Sequence, residues 1–113
     1  DQRFAHPAVT LAQSQTFDEF VLHKQTRQAL RAQPYASYLR RADGLDCADA
    51  YVRLEHLDAD LAAVEQHLGF ALQVPRANAS ARPKHSRQAY SDAAAQAVAH
   101  DCAVDIARFG YSF

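Results

Sequence analysis

The stretch SDAAAQAVAHDCAVDIARFG, residues 91–110, carries the most regular pattern in the chain. Ser91 can accept a backbone hydrogen bond at a helix start, and Gly110 can adopt the left-handed conformation that ends many helices. Between them, apolar residues recur at the period of a helix with one buried side. The stretch therefore predicts a helix whose apolar stripe is Val98, Cys102, Ile106 and Phe109.

Two further helices are predicted upstream of this stretch. The sequence TFDE, residues 16–19, is a capping box, in which a Thr hydroxyl and a Glu carboxylate each bind a free backbone N–H group. The helix that it starts should end near Ala32, because Pro34 disfavours helical geometry in the residue before it. Asp58 is expected to cap the second helix, and Gly69 is expected to end it.

A single strand is predicted at residues 50–55. Val52 and Leu54 point to one side of an extended chain and alternate with other residue types, which is a half-buried pattern. A lone strand leaves backbone groups unpaired, so this one requires a neighbour. The expected fold class is mainly α with one short strand, and 113 residues make one domain or part of one. Residues 1–15 are predicted to be a loose lead-in, and residues 71–90 a long basic loop.

Composition narrows the classes of function. The net charge of −1 gives no general attraction for nucleic acid or anionic lipid, so any anion site must be local. No apolar run approaches the roughly 20 residues of a membrane span. Cys47 and Cys102 are expected to be thiols in a reducing, cytoplasmic compartment, and a single disulfide stays open as the alternative. The six histidines lack the spacing of a helical metal site, so no metal is expected.

The basic loop is the best candidate for a binding site. It contains four Arg or Lys side chains between Pro75 and Tyr90, and no acidic residue. Arginine binds phosphate groups through two parallel, charge-assisted hydrogen bonds. A solvated basic loop without a ligand is the competing interpretation, and composition alone favours it. Asn78, Ser80 and Ser86 add side chains that can form hydrogen bonds.

Several carboxylates lie close to the predicted strand. An acid–base pair among them is conceivable, but structural roles are favoured. Glu55 is expected to pair with a cation, Asp58 to cap its helix and Asp60 to support the first helical turn. For Asp105, on the last helix, a packing or capping role is the simpler interpretation.

Three tyrosines are open to two interpretations. Tyr35, Tyr38 and Tyr51 would either line a sugar or aromatic acceptor or belong to a core or an interface.

An ordered series of short segments runs through the second half of the chain. The segments are YVRLE (51–55), LDAD (57–60), LGF (68–70), PRANAS (75–80), YSD (90–92) and DIARFGY (105–111). In this order and at these spacings they resemble the C-terminal part of the sulfotransferases that use 3′-phosphoadenosine 5′-phosphosulfate. The resemblance is to the carbohydrate-type branch and its bacterial relatives, although Arg31 and Tyr35 stand where that branch has His and Gln.

The resemblance implies the C-terminal portion of a P-loop-like α/β sulfotransferase fold that lacks its nucleotide-binding half. The implied co-substrates are 3′-phosphoadenosine 5′-phosphosulfate and a hydroxyl acceptor. The resemblance also implies that the basic loop holds the 3′-phosphate, and its candidate phosphate-binding residues are Arg76, Asn78, Ser80, Arg82 and Lys84. The family's donor loop is absent from this sequence, and so is methionine, which leads us to expect part of a longer enzyme. No catalytic residue is assigned, and this chain alone is expected to be inactive. The alternative hypothesis is a non-catalytic helical module that binds a partner or a second copy of itself.

Overall fold

The computed structural model describes residues 6–77, 81 and 85–112. These residues divide into two compact units, the first within Asp1–Tyr38 and Pro83–Phe113 and the second within Leu39–Arg82. The α-helices of the described residues are α1 (Pro7–Ser14), α2 (Phe17–Leu22), α3 (Lys24–Ala32), α4 (Leu57–Leu68), α5 (Asp92–Asp101) and α6 (Ala103–Phe109). Short 3₁₀ turns occupy Tyr35–Leu39, Leu54–His56 and Ser86–Ala89. The prediction of a mainly α fold is confirmed.

The predicted capping box starts α2. The Thr16 hydroxyl oxygen accepts a hydrogen bond from the Glu19 N–H at 3.3 Å, and the Glu19 carboxylate accepts one from the Thr16 N–H at 2.9 Å. The helix ends at Ala32 as predicted, but it is interrupted at His23, whose ψ of 136° is extended. The His23 Nδ1 atom accepts a hydrogen bond from the Gln25 N–H at 3.2 Å. One predicted helix is therefore two, because a side chain at the break caps the second of them.

The expected lead-in contains a helix. His6 Nδ1 accepts a hydrogen bond from the Ala8 N–H at 3.2 Å, and Pro7 occupies the first helical position, where its missing N–H costs nothing. The helix α1 packs on α2 but has no buried residue. Its weak apolar periodicity gave no signal of a helix.

The strand prediction for residues 50–55 is wrong. No β-sheet occurs within the described residues, where bridge pairing is limited to an isolated antiparallel contact between Arg40 and Asp46. Residues 50–53 have no regular structure, and the chain then enters the 3₁₀ turn at Leu54. The Arg53 N–H donates to the Asp60 carboxylate at 3.0 Å. This segment is therefore anchored to a helix through a side chain, not to a neighbouring strand.

The helix α4 begins two residues earlier than predicted. Its N-cap is His56, with no capping hydrogen bond from the side chain, and Asp58 lies inside the first turn. The predicted cap by Asp58 is therefore wrong. The predicted stop is confirmed: Gly69 has a left-handed φ of 79°, and its N–H donates to the Glu65 carbonyl at 2.8 Å.

The predicted C-terminal helix is two helices that meet at Cys102. Ser91 caps α5 as predicted, accepting a hydrogen bond from the Ala94 N–H at 3.1 Å, and Gly110 ends α6 with a φ of 65°. At Cys102 the φ of −106° departs from helical geometry. The stripe residues of this helix are only partly buried.

The core lies in the first unit, where α5 packs against α2 and α3. Three of the buried apolar residues are alanines, which let the helices approach closely but bury little surface each. The buried apolar residues of the described chain are Val21, Ala36, Ala94 and Ala97. Asp101 is buried on the same face of α5 as Ala94 and Ala97.

We expect Gly69→Ala to lower the free energy of unfolding by about 1 kcal/mol, because the left-handed conformation is unfavourable for a residue with a Cβ atom. A Cβ atom at Gly69 would meet nothing within 4 Å, so the cost comes from the backbone alone. Urea denaturation followed by circular dichroism measures it. The control is Gly69→Asn, which tolerates this conformation better and should lose less. Equal stability of the Ala variant and the wild type would contradict the prediction.

Candidate functional site

The predicted phosphate-binding loop is described at only one of its five candidate residues. Arg76 is exposed, on irregular chain that follows α4. The other four candidates, Asn78, Ser80, Arg82 and Lys84, lie outside the described residues. The phosphate-binding role of the loop stays a prediction.

An ion pair joins the first two segments of the resemblance. The Arg53 guanidinium donates to Asp60 through Nε at 2.8 Å and through Nη2 at 2.9 Å. Hydrogen bonds from the Arg53 side chain and backbone hold the pKa of the Asp60 carboxyl well below its usual range. Asp60 lies in the first turn of α4 as expected, and both of its carboxylate oxygens accept hydrogen bonds from Arg53. It is a structural anchor rather than a general base.

Asp105 binds the backbone of the segment that follows α3. One carboxylate oxygen accepts from the Tyr35 N–H at 2.8 Å and the other from the Ala36 N–H at 3.3 Å. These N–H groups open a 3₁₀ turn, where they have no partner within the turn itself. The interaction agrees with the capping role expected for Asp105.

The three candidate acceptor tyrosines have different surroundings. Tyr35 and Tyr38 are both exposed, with ring centroids 6.4 Å apart. The Tyr51 hydroxyl donates to the Asp46 carboxylate at 3.2 Å. Tyr35 and Tyr38 belong to the first unit and Tyr51 to the second, so each is described only within its own unit.

The densest group of charges in the described chain is centred on Asp101, whose side chain is 0% exposed. Arg27 donates to it through Nε at 2.6 Å and through Nη2 at 3.2 Å. Arg31 donates through Nη1 at 2.8 Å, and His100 Nδ1 lies 3.0 Å from the same carboxylate oxygen. We call these four residues the Asp101 cluster.

The electrostatics of the Asp101 cluster favour the ionised forms of Asp101 and Arg27. Hydrogen bonds from Arg27, then His100 and Arg31, hold the pKa of the Asp101 carboxyl well below its usual range, although burial acts in the opposite direction. The hydrogen bond with Asp101 likewise raises the pKa of Arg27. Two guanidinium groups face one carboxylate, so the cluster has a net positive charge. Asp101 itself cannot accept a proton near neutral pH.

Sequence patterns missed the Asp101 cluster because its members come from distant parts of the chain. Arg27 and Arg31 are four residues apart on α3, and Asp101 lies seventy residues later. One signal was available: Ala94, Ala97 and Asp101 recur at helical spacing, which places the acidic residue on a face made of small residues. The apolar stripe that begins at Val98 is a stronger pattern, and the predicted buried side of the helix was based on that stripe.

Metal ligands and thiols are two further candidate features of the described part of the chain. It contains no group of three His, Cys, Asp or Glu residues placed to hold a metal ion. Cys47 and Cys102 are both free thiols, and burial raises the pKa of Cys102. None of the helices in residues 6–77 and 85–112 is long and apolar enough to cross a membrane.

Comparison with known proteins gives no match to a family model, a curated protein or a solved structure.

We expect Asp101→Asn to lower the melting temperature at pH 7 by roughly 5–10 °C, because Arg27 and Arg31 would lose their negative partner. Asp92→Asn is the matched control. It removes the same charge from a pair with Arg87 in which the Asp92 side chain is 89% exposed. Exposed pairs contribute little, so this variant should change the melting temperature by only about 2 °C. Equal effects of the two variants would contradict a structural role for Asp101.

The stability contributed by Asp101 should also depend on pH. The folded state lowers the pKa of this carboxyl, so the stabilisation is present at neutral pH and is lost as the pH falls below about 4. Between about pH 4 and pH 2, the wild type should therefore lose stability faster than Asp101→Asn. Thermal melts across this range give the two curves. Parallel curves would mean that Asp101 is not held as an ionised carboxylate.

We expect Thr26→Val to leave stability unchanged or to raise it by up to about 1 kcal/mol. The Thr26 hydroxyl is buried and has no hydrogen-bond partner within the described residues, and valine replaces it with a methyl group of similar size. Thr10→Val, at an exposed position of α1, is the control and should be neutral. Chemical denaturation measures both. A loss larger than about 1 kcal/mol for Thr26→Val would show that the hydroxyl has a partner.

Proposed function

We propose that this chain is part of a sulfotransferase that moves a sulfuryl group from 3′-phosphoadenosine 5′-phosphosulfate to a hydroxyl acceptor. The observation that carries the proposal is the ordered series of segments from YVRLE to DIARFGY. In this proposal the chain is the C-terminal portion of a P-loop-like α/β fold in a cytoplasmic enzyme. The nucleotide-binding half would come from outside this sequence.

The contacts within the segments support the proposal. Arg53 in YVRLE binds Asp60 in LDAD, and Asp105 in DIARFGY caps the backbone at Tyr35. Gly69 in LGF ends a helix with a left-handed conformation. The segments therefore supply caps, stops and anchors, which are the positions at which a fold restricts its sequence most strongly.

The chemistry assigned to this chain is binding and positioning. In-line sulfuryl transfer forms a bond from the acceptor oxygen to sulfur and breaks the bond from sulfur to the leaving phosphate. Positioning and cationic stabilisation of the leaving group would lower the barrier. We assign the grip on the 3′-phosphate to the basic loop with Arg76, Asn78, Ser80, Arg82 and Lys84. Asp60 and Asp101 are poor candidates for the base that the acceptor hydroxyl would need, because hydrogen bonds from arginines lower the pKa of both carboxyls.

Exposed apolar side chains in the second unit favour a second candidate function, a helical interaction module. Leu54 is 83% exposed, and Leu45, Phe70 and Val74 are also exposed. Fully buried apolar residues occur only in the first unit among the described residues. Exposed apolar surface of this kind is often covered by another polypeptide. That polypeptide would be a separate partner or a second copy of the chain.

Binding of 3′-phosphoadenosine 5′-phosphate to the native gene product tests the first proposal. Isothermal titration should give measurable affinity, and Arg82→Ala should weaken it by about tenfold through loss of a charge-assisted bond to phosphate. Arg41→Ala is the control, because Arg41 is exposed, lies outside the basic loop and forms a surface pair with Asp43. It should bind like the wild type.

The outcomes separate the two candidate functions. A stable dimer or heterocomplex without affinity for the nucleotide would overturn the sulfotransferase proposal and favour the interaction module. If Arg82→Ala binds the nucleotide as tightly as the wild type, the sulfotransferase proposal stands, but Arg82 does not belong to the phosphate-binding site.

A further inference from the structure

We infer that the Asp101 cluster is a surface site for a sulfate or phosphate group, with the Arg31 guanidinium as its main contact. The inference does not depend on the proposed function, because none of these residues lies in the basic loop. The ligand is defined by its chemistry, a tetrahedral oxyanion, either free or as an ester on a larger molecule.

The first argument is the charge balance. Arg27 and Arg31 are both cations, and Asp101 is the acidic partner of both. One carboxylate cancels one of the two charges, so a positive charge is left over. The Asp101 side chain is fully buried, whereas 48% of the Arg31 side chain is exposed. The uncancelled charge therefore lies on the solvent side of the cluster.

The second argument is the number of donors that Arg31 has left. A guanidinium has five N–H donors in a fixed planar fork. The Arg31 side chain donates to Asp101 through Nη1, and within the described residues this side chain makes no other hydrogen bond. A tetrahedral oxyanion has several oxygens and can accept two parallel bonds from one such fork.

The third argument is preorganisation. Arg27 binds Asp101 through two nitrogens, which fixes the carboxylate, and the carboxylate in turn fixes one end of Arg31. An arginine held in this way loses less side-chain entropy on binding than one that moves freely in solvent. His100 Nδ1 adjoins the same carboxylate oxygen.

Titration with sodium sulfate, followed by backbone amide NMR, tests the site in this chain. Sodium chloride at matched ionic strength is the reference for general salt effects. Sulfate should produce saturable shifts at residues 27–31 and 99–102 that chloride does not produce. Arg31→Gln should weaken sulfate binding by about tenfold, through loss of charge-assisted hydrogen bonds. Arg31→Lys keeps the positive charge but lacks the planar fork of N–H donors. Its sulfate affinity should lie between those of the wild type and Arg31→Gln.

The control is Arg41→Gln. The Arg41 side chain is 64% exposed, lies outside the basic loop and forms a surface pair with Asp43. The substitution removes the same charge and should leave sulfate affinity unchanged. Circular dichroism spectra that match the wild type would confirm that both variants fold.

Three results would overturn the inference: equal shifts with chloride, unchanged binding by Arg31→Gln, or equal weakening by Arg41→Gln. A second titration with a sugar sulfate distinguishes the two sources of the ligand, because tighter binding than inorganic sulfate indicates an ester.

The sulfate titration also gives a result that is independent of the proposed function. Arg82→Ala should weaken binding of the nucleotide but not of sulfate to this site, and failure of nucleotide binding would leave the sulfate result standing.

Discussion

The buried carboxylate of Asp101 is the interaction on which the first unit depends. Helix α5 packs against α2 and α3 through alanines, which bury little apolar surface. An ionised group inside such an interface would be strongly unfavourable without partners. Arg27 and Arg31 on α3 donate hydrogen bonds to it, so the Asp101 side chain joins α5 to α3. Much of the specificity of this packing therefore comes from hydrogen bonds with fixed geometry.

The helix ends were predictable from sequence where the signal is local. The capping box at Thr16, the cap at Ser91 and the stop at Gly69 each depend on residues within a few positions, and all three occur as expected. The break at Cys102 was not predictable from apolar spacing, which continues through it. The break at His23 opens a polar stretch, residues 23–28, in which apolar spacing gives no signal. At His23 the imidazole competes for a backbone N–H group, and helix propensity does not describe that competition.

The strand prediction failed for a related reason. Alternation at Val52 and Leu54 describes a chain that could enter a sheet, but it does not supply a neighbouring strand. The Asp60 carboxylate is available seven residues away and binds the Arg53 N–H. Of the candidate site, the anchoring roles of individual carboxylates were partly predictable. The Asp101 cluster was not, since it joins residues about seventy positions apart.

The first unit also has a consequence for the order of biosynthesis. It is assembled from two stretches of chain, and the whole second unit lies between them in sequence. A ribosome adds about 5–20 residues per second, so Arg27 and Arg31 leave it several seconds before Asp101 is made. During that interval α2 and α3 have no packing partner from α5. The faces of these helices that pack on α5 therefore stay uncovered during that interval, and the first unit can close only after residues 92–101 have been made.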